Sequence, residues 1–377
     1  MQPATSYISN LTPLRGITAL LVAVYHFEDL MVRFVPLTFT MFFSKCYLMV
    51  DIFFIMSGFI ITHVYQKNFR NGLTASNFWR FTVARFARIY PLHFLMLLVV
   101  VVSFVASGAP PDPIQNPAAI PTNLLLIHSF GIHNTFTWNV PSWSISAEWW
   151  CYMLFPVLIF FLCNKRKLAV PVLLFLSASA YVAIMYWLPR VGPTGEAIIP
   201  LPQDLNVTFD YGFVRGLSGF SLGMVLYVLY ENPVTRRIFS SDLVFFIFSF
   251  GAITSLHLAL PDILSIPLFA GIVLSAACNG GWVHRIFERP LLQMIGDISY
   301  SIYMLHVVIL FAIMEILNSS GVSIPRMPDN TVLFFTGLMG CIGFLAVIVL
   351  LSVWSYRKLE TPCRDFINQK TRRATPS

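Results

Sequence analysis

Charge is what this sequence has least of. Only 11% of its 377 residues are charged, where a soluble domain carries roughly 25%. A water-exposed exterior needs a polar shell, so this shortage excludes an ordinary soluble globule and requires lipid to cover much of the surface. Metal-ligand and disulfide patterns are also lacking. The six cysteines (Cys46, Cys151, Cys163, Cys278, Cys341 and Cys363) lie in or beside apolar runs at unrelated spacings, which suits small packing residues. No basic n-region or small-residue cleavage site precedes the first apolar run, so that run is expected to remain as a helix. No internal repeat and no matching pair of interrupted apolar segments is visible, which weighs against a transporter.

Apolar residues make up the bulk: 57% of the chain, with a mean hydropathy of +0.73. The net charge of +7 does not point to nucleic acid, because the basic residues sit at the ends of apolar runs instead of on one polar face. A span needs ~20 mostly apolar residues. Candidates fall at 12–32, 47–66, 90–107, 143–163, 168–188, 209–230, 243–260, 263–282, 294–317 and 331–355. The expected fold is therefore all-α: one polytopic domain over 1–377 with about ten transmembrane helices, a basic cytoplasmic tail at 356–377 and no soluble domain. Residues 108–142 carry Pro110, Pro111, Pro113, Pro117 and Pro121 beside apolar Leu124 to Ile127, Phe136 and Trp138. That mixture predicts a packed loop or re-entrant segment.

Alternating the ten spans places 18 of the 24 Lys and Arg residues on one side, from Lys67 and Arg70 to the tail. Only Arg33, Lys45, Arg190 and Arg326 fall on the other, with Arg15 and Arg215 inside spans. The basic side is the cytoplasmic one, so both termini are expected there.

Ionisable groups inside spans are costly and mark function. Arg15 and His26 are eleven residues apart; at ~100° and 1.5 Å per residue they share a helix face, separated by ~16 Å along the axis. Each taken singly also suits a bland role, an interfacial anchor for Arg15 and a polar packing residue for His26. Asp51 and Gly58 share a face of the second span. Asp51 also suits an interfacial cap, and Gly58 permits close approach of a backbone or ligand. Arg85 and Arg88, one turn apart before Tyr90-Pro91, suit phosphate groups as well as the positive-inside signal. Ser144, Glu148 and Tyr152 stack at spacings of four beside Trp143, Trp149 and Trp150, whose plainest role is an aromatic belt. Ser299, Tyr303 and His306 share a face of the ninth span, and His93 is a weaker candidate.

This ordered set resembles the acyltransferase-3 family of membrane O-acyltransferases over nearly the whole chain. The likeness rests on Leu14-Arg15-Gly16 with His26, Asp51-Ile52-Phe53-Phe54 with Ser57-Gly58-Phe59, and Arg85-Phe86-Ala87-Arg88-Ile89-Tyr90-Pro91. It also rests on Trp143-Ser144 with Glu148-Trp149, Ser299-Tyr300-Ser301-Ile302-Tyr303 with His306, and Glu360-x-Pro362.

The resemblance implies acyl-CoA as donor, acetyl-CoA by default, with no metal. It implies a hydroxyl on a surface polysaccharide, lipid-linked glycan or related acceptor, and a bacterial inner membrane setting. It points to Arg15 and His26 as essential, supported by Arg85, Arg88 and Glu148. Some members add an extracytoplasmic hydrolase-like domain; this sequence ends about twenty residues past its last expected span, so transfer is expected from the membrane part alone.

The chemistry then assigns His26 as general base, oriented by either Glu148 or Asp51. Arg15, Arg85 and Arg88 clamp CoA phosphates from the cytosol, and the acceptor arrives at the Trp-rich start of the fourth span. Asp51, Ser144, Tyr303 and His306 are further site candidates. The rival class is a transporter or flippase for a lipid-linked glycan.

Overall fold

The computed structural model describes residues 7–70, 72–108, 110, 112–190, 198, 203–321 and 331–374. Arg326 and Pro111 lie outside the described residues. The chain folds into helices, with no strand among the described residues.

Helices occupy all ten expected positions. They are α1 (Leu11–Leu30), α2 (Met49–Phe69), α3 (Ala75–Ser107), α4 (Ser142–Asn164), α5 (Arg166–Tyr186), α6 (Gly212–Tyr230), α7 (Asp242–His257), α8 (Ser265–Cys278), α9 (Ser299–Ser319) and α10 (Thr331–Ser355). By length and composition seven helices qualify to cross a membrane, or eight if α7 joins the short helix before it across a 69° bend. α8 falls short because its 14 residues rise only about 21 Å. α1 is long enough at 20 residues, but Arg15, Glu28 and Asp29 make it more polar.

The largest departure from the expected bounds is α3. Its 33 residues begin fifteen positions before the expected start, capped by Thr74 Oγ1 accepting from Asn77 N, so Arg80, Arg85 and Arg88 are helical. Pro91 lies inside the helix and does not end it. Residues 112–142 pack as a cap: Asn123 O meets His93 Nε2 at 3.0 Å, and Trp138 is buried with its Nε1 on Asn116 O.

Polar contacts gather the chain's connections into two ends. At one, Asp262 accepts from Lys45 Nζ (2.8 Å), Tyr47 Oη (2.6 Å) and Leu205 N (2.8 Å). At the other, Gln66 donates to Tyr227 Oη (2.6 Å), and Arg166 pairs with Glu231 at 3.1 Å. The alternation of ten spans sorts these same positions onto opposite sides.

Helices α2 and α6 form the tightest pair, through glycine. A Cβ on Gly58 would lie 1.9 Å from Phe220 O, and one on Gly223 would lie 2.0 Å from Ile55 O. Small residues let backbones touch where lipid supplies no hydrophobic drive between helices. The partner that Gly58 admits is thus a helix backbone. After α10 the chain continues through a π-helical turn, Tyr356–Glu360, into α11 (Thr361–Ala374), which packs against α3.

Candidate functional site

A cavity of about 140 Å³ opens among α1, α2, α3, α4 and α9. Its polar lining comprises Arg15, Ser57, Arg85, Arg88, Ser144, Glu148, Tyr152, Ser299, Tyr300 and Tyr303. Each arrives for a local reason. Gly16 and Gly296 bring the start of α1 against residues 295–296, too close for a Cβ on either glycine. Arg15 therefore reaches Gly296 O (3.2 Å) and Ser299 Oγ (3.3 Å) through Nη2. The four-residue spacing on α4 sends Ser144, Glu148 and Tyr152 to one face, and all three line the cavity.

Glu148 is held by hydroxyls. Its Oε1 accepts from Ser57 Oγ at 2.8 Å and from Tyr152 Oη. Ser144 Oγ donates to Tyr303 Oη at 2.8 Å. Arg85 donates Nη2 to Tyr65 Oη at 3.0 Å and lies over the Tyr65 and Tyr152 rings. Its buried Nε has no hydrogen-bond partner. Among the described residues, neither Arg15 nor Arg85 pairs with a carboxylate, whereas Arg88 pairs with buried Glu360. Arg15 and Arg85 therefore face the cavity without an ion-pair partner, while the Glu148 carboxylate lines the same cavity. No cluster of three or more His, Cys, Asp or Glu able to hold a metal occurs among the described residues.

Sequence reasoning brought six of its residues to this one place: Arg15, Arg85, Arg88, Ser144, Glu148 and Tyr303. His26 and His306 are placed otherwise. His26 is absent from the cavity lining and lies beside His306, with its Nδ1 3.1 Å from His306 Nε2 and 3.1 Å from Val22 O. The Tyr303 ring lines the cavity, and its centroid is 5.6 Å from that of His306. His306 Nδ1 is 2.6 Å from Tyr303 O; a carbonyl only accepts, so that nitrogen carries the proton and Nε2 faces His26 as acceptor. His26 Nε2 makes no hydrogen bond with another described residue.

Asp51 requires a correction. It does not orient His26; both its oxygens serve Arg215, with Nη2 to Oδ2 at 2.6 Å, and Tyr181 Oη adds a third donor at 3.1 Å. Both side chains of the pair are fully buried. The pairing arises because Asp51 shares the α2 face that meets α6. Glu148 does not touch His26 either, so neither carboxylate proposed to orient the imidazole does so. Trp143 is also no belt residue: it is buried beneath Arg215, whose guanidinium carbon is 5.5 Å from the ring centre. His93 is a packing residue held by Asn123 O.

Sequence reasoning assigned no role to Ser57, Ser299, Tyr300 or Glu360 in the site, nor to Arg215 beside Asp51. Arg215 carried a signal, being an arginine inside a span. Glu360 carried a weaker one, in Glu360-x-Pro362, but was read as part of a tail.

A family model described as an acyltransferase domain matches residues 8–357. Among curated relatives, acyltransferase MdmB of Streptomyces mycarofaciens is 32% identical over 42% of this chain and 40% of its own length. Peptidoglycan O-acetyltransferase OatA of Listeria monocytogenes is 24% identical over 96% of this chain and 57% of its own length. Nodulation protein 10 of Rhizobium leguminosarum bv. viciae is 26% identical over 71% of this chain and 72% of its own length. The chain thus spans about half the length of several curated relatives it matches. No solved structure is a significant match.

Proposed function

Because this chain belongs to the acyltransferase-3 family, whose match covers residues 8–357, we propose that it moves an acyl group from acyl-CoA to a hydroxyl on a glycan or glycolipid. Acetyl is the default acyl group, in keeping with the relatives named as O-acetyltransferases. The setting is the bacterial cytoplasmic membrane, with both termini in the cytosol by the lysine and arginine bias.

The observation that carries this reading is the pair Arg15 and Arg85, facing one cavity with no carboxylate partner among the described residues. They suit the phosphates of CoA. The cavity beyond them, bounded by Ser57, Glu148, Ser144 and Tyr303, takes the pantetheine arm and its thioester. A donor held this way enters from one side and reacts with an acceptor from the other, and most of the advantage comes from fixed geometry.

His26 is the general base. A neutral imidazole whose Nδ1–H is shared between Val22 O and His306 Nε2 presents Nε2 as a lone pair. The acceptor hydroxyl attacks the thioester carbonyl and His26 Nε2 takes its proton. The tetrahedral intermediate then expels the CoA thiolate, which receives that proton, and the ester remains on the acceptor. His26 lies outside the cavity lining, beside His306, so transfer requires the acceptor hydroxyl to bridge the thioester and the imidazole. Glu148, held by Ser57 and Tyr152, is a polar wall of the thioester site.

The test is purified protein in liposomes supplied with labelled acetyl-CoA and a glycan-bearing membrane extract. Transfer of label to an alkali-labile ester, with stoichiometric CoA release, is expected. Movement of a lipid-linked glycan without CoA release would show a transporter instead.

A further inference from the structure

Three arginines face the cavity, yet one of them is already neutralised. Arg88 Nη1 is ion-paired with Glu360 Oε1. Glu360 is 2% exposed, and its second oxygen accepts from Ser301 Oγ at 3.1 Å. Glu360 is the last residue of a π-helical stretch, Tyr356–Glu360. A π turn widens the helix and commonly occurs at functional positions. Arg88 is further held against the Tyr300 ring, 5.8 Å from its centre, while Tyr300 Oη donates to Ile89 O on the same helix as Arg88.

A carboxylate this buried does not release its partner cheaply. An incoming phosphate that captured Arg88 would leave Glu360 charged and unpaired in a buried position. Arg15 and Arg85 carry no such obligation. Their partners are the neutral groups Gly296 O, Ser299 Oγ and Tyr65 Oη.

We propose that Glu360 is a positioning residue that withholds Arg88 from the donor, so that Arg15 and Arg85 alone bind its anionic part. This rests on the donor reading above. The site then offers two guanidinium groups that, among the described residues, make no ion pair, and these match a diphosphate. A third free arginine would retain the CoA product and slow its release.

The experiment measures equilibrium binding of radiolabelled CoA to purified protein in detergent, with thermal melting recorded in parallel. Two variants are compared with wild type. Glu360→Gln frees Arg88 and is expected to tighten CoA binding about tenfold, a gain that adding salt erodes. Arg88→Gln with Glu360→Gln removes both charges at nearly constant volume and is expected to bind CoA within about threefold of wild type. A purely structural Glu360 would lower the melting temperature of the single variant and leave its CoA affinity unchanged, which overturns the proposal. A double variant that loses tenfold or more in affinity overturns it as well, because Arg88 would then be a direct ligand. Should Glu360→Gln fail to fold, the double variant decides alone. Wild-type protein that binds no CoA would sink the donor reading, and this proposal with it. Tight wild-type binding with a weak double variant sinks this proposal only.

Discussion

Asp51 and Arg215 form a fully buried ion pair, with Nη2 of the arginine 2.6 Å from Oδ2 of the aspartate. It joins α2 to α6 near the end of the molecule where Asp262 binds Lys45 and Tyr47. Arg215 also donates to Tyr47 O (3.0 Å) and Val207 O (3.3 Å). Removing one partner strands the other in a fully buried position, which costs about 3–5 kcal/mol. Asp51→Asn and Arg215→Met should each sharply lower the recovery of monodisperse protein. The double variant Asp51→Leu/Arg215→Met should recover much of the loss. Thermal melting followed by size-exclusion fluorescence checks this, and a double variant worse than either single one would contradict it.

The α2–α6 contact depends on absent side chains. Gly58→Ala and Gly223→Ala each place a Cβ about 2 Å from a backbone oxygen of the facing helix, so the helices must separate. A separation there disturbs Ser57 as well, the residue before Gly58. Each variant should lose about 1–3 kcal/mol or more, as overpacked sites do, and should also lose acyl transfer. Melting temperature and transfer rate measured together test the link.

Glu148 should separate stability from turnover. It accepts two hydroxyl donors within the cavity, and Gln retains its shape. Glu148→Gln should reduce transfer by at least about tenfold with the melting temperature little changed. Ser57→Ala, which removes one donor and leaves the carboxylate, should have a smaller effect. Unaltered turnover in Glu148→Gln would show that this carboxylate only fills space.

The cap between α3 and α4 should make the protein acid-sensitive. His128 is buried beside the His93 ring, and burial pushes it down to about 3, with the neighbouring His93 adding a smaller push. An unfolded chain protonates this group near its ordinary value of 6.5, which the folded chain refuses until about pH 3. The contribution to stability is full above pH 6.5 and falls as pH drops below it, by at most about 1.4 kcal/mol per pH unit. His128→Gln should therefore lose less melting temperature than wild type between pH 7.5 and pH 5. Equal losses would place the sensitivity elsewhere.

The helices and much of the site were legible because lipid imposes simple rules on sequence. Ten apolar runs gave ten helix positions, and the four-residue spacing of Ser144, Glu148 and Tyr152 put all three on one wall. Helix periodicity also placed Asp51 and Gly58 on one face, which proved to meet α6. What periodicity cannot supply is the identity of the facing helix. The Asp51 partner lies 164 residues away, and the Arg88 partner lies 272 residues away. Arg15 and His26 do share a helix, yet only Arg15 lines the cavity, and only the packed structure shows it. The start of α3 was missed because arginines and Pro91 read as a boundary, although arginine is a good helix former.

The claim on which all of this depends is that the cavity between Arg15 and Tyr303 holds the acyl donor. Its most direct test is photo-crosslinking of purified protein with a CoA thioester carrying a diazirine on the acyl chain, followed by peptide mapping. The account predicts label on residues of α2, α4 and α9 around Ser57, Ser144 and Tyr303, abolished by excess CoA and strongly reduced in Arg15→Ala. Label confined to other helices, or equal labelling of wild type and Arg15→Ala, would contradict it.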